Sequence, residues 1–130
     1  MEILKIKIQI TACEEVTGNF TVKMISFTGS AEGAYFCGNI LEGGVDTQIL
    51  DRNGNGTVSA RYMLEGTDCE NNRCRIFIEN NGKIENGIIG RTAPEIVTDS
   101  PVLAPLLKKR IYGKLYTDDT GFYVGIYSEE

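Results

Sequence analysis

Asp46, Arg61, Asn80 and Arg91 are polar residues set where apolar, strand-like runs begin, continue or end. Asp46 directly follows Gly43-Gly44-Val45, Arg61 sits in the middle of Thr57–Glu65, Asn80 ends Arg73–Asn80, and Arg91 precedes Thr92 and Pro94. A buried arginine is costly unless paired, so Asp46 or Glu65 is the expected partner of Arg61 or Arg91. Gathered in one concave site, these four side chains would orient an anionic or carbonyl-bearing ligand. The competing reading puts Arg61 and Glu65 on a solvated face. Tyr62 and Tyr112 join the candidates, because a tyrosine lines an apolar pocket while donating a hydrogen bond and can act as an acid.

The chain contains no histidine. That removes the commonest general base, the histidine-dependent nucleophile systems and the usual zinc, copper and haem ligands. No catalytic residue is assigned from sequence, and neither a metal nor a cofactor is expected. The four cysteines lack metal-site spacing. Cys69 and Cys74 flank a short turn and could approach within disulfide reach, whereas Cys13 and Cys37 read as small buried hydrophobes. Asp51-Arg52-Asn53-Gly54-Asn55-Gly56 opens like a calcium loop, but the twelfth position is Tyr62 and no helices flank it, so it reads as a hairpin turn. Gly87-Ile88-Ile89-Gly90 has no phosphate-binding signature and reads as strand.

The elements that must position these residues are legible from periodicity. In Thr57–Glu65, Val58, Ala60, Tyr62 and Leu64 share one face while Ser59, Arg61, Met63 and Glu65 share the other, the period of a half-buried strand. Strands are predicted at Glu2–Ala12, Asn19–Thr28, Ala34–Leu41, Val45–Asp51, Thr57–Glu65, Arg73–Asn80, Lys83–Arg91, Leu107–Tyr116 and Gly121–Tyr127. Reversals are expected at Thr17-Gly18-Asn19, Thr28-Gly29-Ser30, Glu42-Gly43-Gly44, Asn53-Gly54, Asn81-Gly82 and Asp118–Gly121. One helical turn is expected near residues 100–105, capped by Asp99 or Ser100, starting at Pro101 and ending near Pro105. Consecutive antiparallel strands joined by short links make an all-β chain, and closure would remove the exposed edges of a long meander. The prediction is one domain over residues 1–130, an up-and-down antiparallel β-barrel of about 8–10 strands.

Charge and composition limit the partners. A net charge of −5 argues against a nucleic-acid partner. Lys108-Lys109-Arg110 reads as a solvated strand edge. No stretch approaches the about 20 apolar residues that a membrane-spanning helix requires, and the N-terminus lacks a signal-peptide core, so no membrane partner and a cytoplasmic location are expected.

Four motifs occur in order: Gly43-Gly44-Val45-Asp46, Ala60-Arg61-Tyr62-Met63-Leu64-Glu65, Ile76-Phe77-Ile78-Glu79-Asn80-Asn81-Gly82 and Arg91-Thr92-Ala93-Pro94-Glu95-Ile96. From roughly Val22 onward the chain thereby resembles a widespread bacterial and fungal family known only as a domain of unknown function. Its members carry a GG-x-D turn, an ARY-x-L strand, an N-x-G turn and an RT-x-P-x-F segment. The resemblance implies a single β-barrel similar to lipocalin or allene-oxide-cyclase barrels, a homo-oligomeric assembly and no established activity. Its members linked to pathways look like small-molecule binders or isomerase- and cyclase-type enzymes. By position it points to Asp46, Arg61, Asn80 and Arg91. The chain departs from the pattern at Thr47, Ser59 and Ile96, where the family carries an aromatic, an acidic residue and phenylalanine.

Three functions follow as expectations. The first is binding of a small, partly apolar or anionic molecule in the barrel. The second is a cofactor-independent isomerase, cyclase or lyase with Asp46 as base and Arg61 as stabiliser of developing charge. The third is an oligomeric interaction protein with a packed barrel and Tyr116, Tyr123 and Tyr127 at its interface.

Overall fold

The computed structural model describes residues 1–129. Ten strands follow one another: β1 (Glu2–Thr17), β2 (Thr21–Ala31), β3 (Phe36–Ile40), β4 (Val45–Leu50), β5 (Gly56–Asp68), β6 (Arg73–Glu85), β7 (Ile88–Ile89), β8 (Ala93–Thr98), β9 (Ile111–Asp118) and β10 (Gly121–Ser128). One short helix, α1 (Leu103–Leu107), separates β8 from β9. All strand pairs are antiparallel and belong to one sheet.

The ten strands occupy eight positions around an up-and-down meander. Both β3 and β4 lie between β2 and β5, and both β7 and β8 lie along the same side of β6, so each pair is one interrupted strand. The two ends of the sheet meet where Thr92 and Gly113 exchange both backbone hydrogen bonds at 2.9 Å, giving a barrel with a single-bridge seam. Among the described residues, no helix is long and apolar enough to cross a membrane.

Several predicted reversals are not reversals. Thr28-Gly29-Ser30 lies within β2, where Gly29 pairs with Ile8. Glu42-Gly43-Gly44 interrupts a strand without turning it, because Ser26–Val45 and Ala31–Gly38 are both antiparallel pairs with the same neighbour. Asn81-Gly82 is interior to β6, paired with Ser59 and Val58. The chain turns instead at a second Asn-Gly, Asn86-Gly87, whose φ values of 52° and 78° suit a tight hairpin that twists with its strands. Missing that shift hid β8. The strand predicted through Lys83–Arg91 is accordingly the end of β6, a turn and β7.

The helix begins later than expected. The Ser100 hydroxyl accepts from the Val102 and Leu103 N–H groups, while Asp99 accepts from the Arg75 N–H outside the helix. Pro105 does not end α1, because a residue in the first turn has no intrahelical acceptor to lose. Leu103 and Leu107 point into the barrel. With Leu4, Ile6, Phe36, Leu64, Ile76, Ile78 and Ile126 they form a closely packed core around one end. Lys108, Lys109 and Arg110 are exposed between α1 and β9.

The seam depends on a missing side chain. A Cβ on Gly113 would lie 2.1 Å from Thr92 Oγ1 and 3.1 Å from the Asn80 amide nitrogen. Gly113→Ala is therefore expected to cost about 1–3 kcal/mol in chemical denaturation, the range for overpacking. In a double-mutant cycle Thr92→Ala, which removes the clashing oxygen, should recover part of that loss; strict additivity would disprove the steric account.

Candidate functional site

Away from the α1 end the barrel is not filled. A cavity of about 200 Å³ lies between β1, β2, β4, β5, β6, β9 and β10, with Ile8, Ile25, Val58, Leu115 and Val124 supplying apolar wall. Phe27 and Tyr62 pack edge to face with ring centres 5.1 Å apart, and both belong to the core as well as to the cavity lining.

Strand register sets the polar side of this cavity. Asp46 pairs with Ala60, and Ala60 pairs in turn with Asn80, so the three form one row across β4, β5 and β6. Alternation along β5 turns Val58, Ala60, Tyr62 and Leu64 inward together. Ala60, the smallest member of the row, leaves space between the two polar side chains. Gln48 is two residues along β4 from Asp46 on the same face, and its amide donates to Asp46 Oδ2 at 3.2 Å. Thr92 enters at the seam.

Four polar atoms of these lining residues have no protein partner: Asp46 Oδ1, the Tyr62 hydroxyl, Asn80 Oδ1 and Thr92 Oγ1. Tyr62, Asn80 and Thr92 are only 4%, 5% and 5% exposed. Buried polar groups are normally paired, because leaving one unpaired costs roughly 1–3 kcal/mol. Burial pushes the Asp46 carboxyl above its ordinary range, with the Gln48 hydrogen bond opposing weakly. It also raises the Tyr62 phenol, with the neighbouring Asp46 charge adding to the effect.

Asp68, a buried carboxylate, shows what a satisfied one looks like. Asp68 accepts from the backbone of Glu70 and Asn72, from the Asn72 amide and from the Ser100 hydroxyl at 2.7 Å. Burial alone would push its carboxyl up; these hydrogen bonds outweigh that and bring it below the ordinary value. Asp68 ties the β5–β6 turn to the start of α1.

Of the sequence candidates, the structure brings Asp46, Tyr62 and Asn80 together and leaves Arg61, Arg91 and Tyr112 outside. Arg61 is 67% exposed and pairs with Glu79 at 2.7 Å on the outer face. Arg91 is 65% exposed, pairs with Glu129 at 3.3 Å and lies 3.8 Å over the Tyr112 ring. Tyr112 itself stacks on Tyr127. Neither expected pairing with Asp46 or Glu65 forms, since Glu65 bonds Arg73 and Arg75. The physical reason is the period of two: Arg61 must point opposite to Ala60 and Tyr62, which makes its solvated-face reading the correct one.

Sequence reasoning missed Thr92 and Gln48. Both sit where alternation would have found them, Thr92 next to outward Arg91 and Gln48 two positions from Asp46. The outer-face tyrosines Tyr116 and Tyr123 stack on each other, and the Tyr116 hydroxyl donates to Glu2. All four cysteines are free, with Cys74 buried and Cys13, Cys37 and Cys69 exposed. Asp51 Oδ1 accepts from the Asn53 and Asn55 N–H groups, as a hairpin turn requires.

A family described as "Protein of unknown function (DUF3237)" matches residues 3–93. A curated relative, UPF0311 protein CA_C3321 of Clostridium acetobutylicum, is 40% identical over 55 residues, 42% of this chain and 32% of that protein. The match thus spans about a third of the relative's length. Among solved structures, a protein of unknown function from Clostridium acetobutylicum superimposes with a TM-score of 0.81 at 23% identity, covering 100% of this chain and 98% of the other. A beta-barrel-like protein from Acinetobacter baumannii gives a TM-score of 0.73 at 18% identity, covering 97% and 92%. At these identities the likeness concerns the fold.

The unpaired carboxylate sets a pH dependence. Because the folded state raises Asp46, the native protein is unpenalised below the ordinary carboxylate range and loses stability as pH rises through the folded value. Asp46→Asn should therefore melt a few degrees higher than the parent at neutral pH, and the gap should close in acid. A gap that widens on acidification would mean Asp46 is stabilised as the charged form.

Proposed function

We propose that this chain, which belongs to the DUF3237 family of proteins of unknown function, binds a small, largely apolar molecule inside its barrel. One observation carries the reading: four buried polar atoms without protein partners belong to residues lining one apolar cavity. Apolar walls with a few convergent polar groups are the usual composition of a ligand pocket. The size fits a compact ligand, since an apolar cavity of about 150 Å³ admits benzene. Arg61 and Arg91 have no part in it, so the anionic ligand expected from them is replaced by one that makes hydrogen bonds to Asp46, Tyr62, Asn80 and Thr92.

Native mass spectrometry on protein purified from a cell extract, compared with the denatured sample, tests this directly. A non-covalent mass lost on denaturation is the expected result. Ala60→Leu, which places three more carbons over the floor of the cavity, should abolish that mass while leaving the melting temperature equal or higher. Retention of the ligand by Ala60→Leu would place binding elsewhere.

A second reading is favoured by the state of Asp46. A carboxyl raised by burial, with one unpartnered oxygen on a residue lining the cavity, is suited to proton transfer. In such a cofactor-independent isomerase or cyclase, Asp46 would move the proton and the Tyr62 phenol would donate to developing negative charge. Arg61 is placed too far outside to serve as that stabiliser.

A further inference from the structure

The cavity wall carries one carboxylate and no cation. Its lining includes neither lysine nor arginine, and the nearest candidates by sequence, Arg61 and Arg91, are engaged on the outer surface by Glu79 and Glu129. A half-buried carboxylate with no cationic partner is costly, and an asparagine at position 46 would accept a hydrogen bond from a neutral ligand at lower cost. The feature needing explanation is the charge.

Two of the unpartnered atoms, Asp46 Oδ1 and Asn80 Oδ1, can only accept, and the Thr92 and Tyr62 hydroxyls can accept as well as donate. Thr92 Oγ1 and Asn80 Oδ1 both lie beside Gly113, within 2.1 Å and 3.3 Å of the point where its Cβ would stand. Asp46 lies across Ala60 from Asn80 in the same cross-strand row. A carboxylate or phosphate brought here would meet Asp46 with nothing to neutralise either charge. An ammonium group, by contrast, has three N–H donors and no acceptor, and hydrogen bonds between ionised partners are about twice as strong as neutral ones.

Resting on the reading that the cavity holds a small molecule, we infer that its ligand is a compact apolar amine, bound as the ammonium with its charge against Asp46 and its remaining donors toward Asn80 and Thr92. The apolar body lies against Ile25, Phe27 and Leu115. The Phe27 and Tyr62 rings add aromatic surface of the kind that attracts cations. The free edge of the cavity's contents is thereby set by charge, and its size by the wall.

Benzylamine, benzyl alcohol and benzoate share one ring and differ in the group presented, so titration calorimetry with all three separates the possibilities. At neutral pH benzylamine should bind about tenfold or more tighter than benzyl alcohol, and benzoate should not bind. In Asp46→Asn that preference should collapse while the alcohol's affinity is retained. Thr92→Val, which keeps the carboxylate and the shape, should weaken the amine only modestly. An alcohol that binds as tightly as the amine, or a preference that survives in Asp46→Asn, overturns the inference and leaves the cavity-binding proposal standing. Failure of all three probes to bind the folded protein counts against both.

Discussion

A meander of antiparallel strands becomes a barrel only where its first and last edges meet, and here that junction is one residue pair. Thr92 and Gly113 exchange two hydrogen bonds in an isolated bridge, and α1 lies between β8 and β9 in the chain. The geometry demands glycine on one side, since any side chain at 113 would occupy the place of Thr92 Oγ1. Thr92 Oγ1 and the Asn80 amide both lie beside Gly113, and both residues line the cavity. Closure of the barrel therefore adds Thr92 to the polar row that β4, β5 and β6 set by their own register.

The two ends of the barrel solve the interior differently. At one end α1 inserts Leu103 and Leu107 against a ring of branched and aromatic side chains, and the space is full. At the other, the row Asp46–Ala60–Asn80 puts a methyl group between two polar side chains, and space remains. Asp68 and Asp46 mark the contrast. Asp68 receives four hydrogen bonds and locks a turn to the helix; Asp46 receives one and keeps an oxygen open. The first is satisfied by its own chain; the second is satisfied only in part.

Much of this was readable from residue order. The β5 alternation placed Ala60 and Tyr62 on one face and Arg61 on the other, and the structure keeps that division. The attraction of arginine as a ligand anchor competed with that pattern, and geometry decided for the pattern, because a side chain cannot cross its own strand. Turn chemistry was less dependable. Two Asn-Gly pairs five residues apart carry the same local preference, and only Asn86-Gly87 turns; Asn81-Gly82 is held straight by pairing to β5, with Asn81 also paired to β8. Glu42-Gly43-Gly44 failed likewise, since its two flanking segments share both neighbours.

The sequence by itself determined the all-β meander, the inward and outward faces of its strands and the absence of histidine chemistry, because these depend on period and composition within single segments. Tertiary structure alone decided that Asp46, Asn80 and Thr92 share a wall, that Arg61 and Arg91 are engaged in surface pairs, and that a cavity of about 200 Å³ remains between the strands. Those facts depend on which strands become neighbours and on how much volume their inward side chains leave. Residues 46, 60, 80 and 92 are far apart in the chain, and the space between them belongs to none of their local patterns.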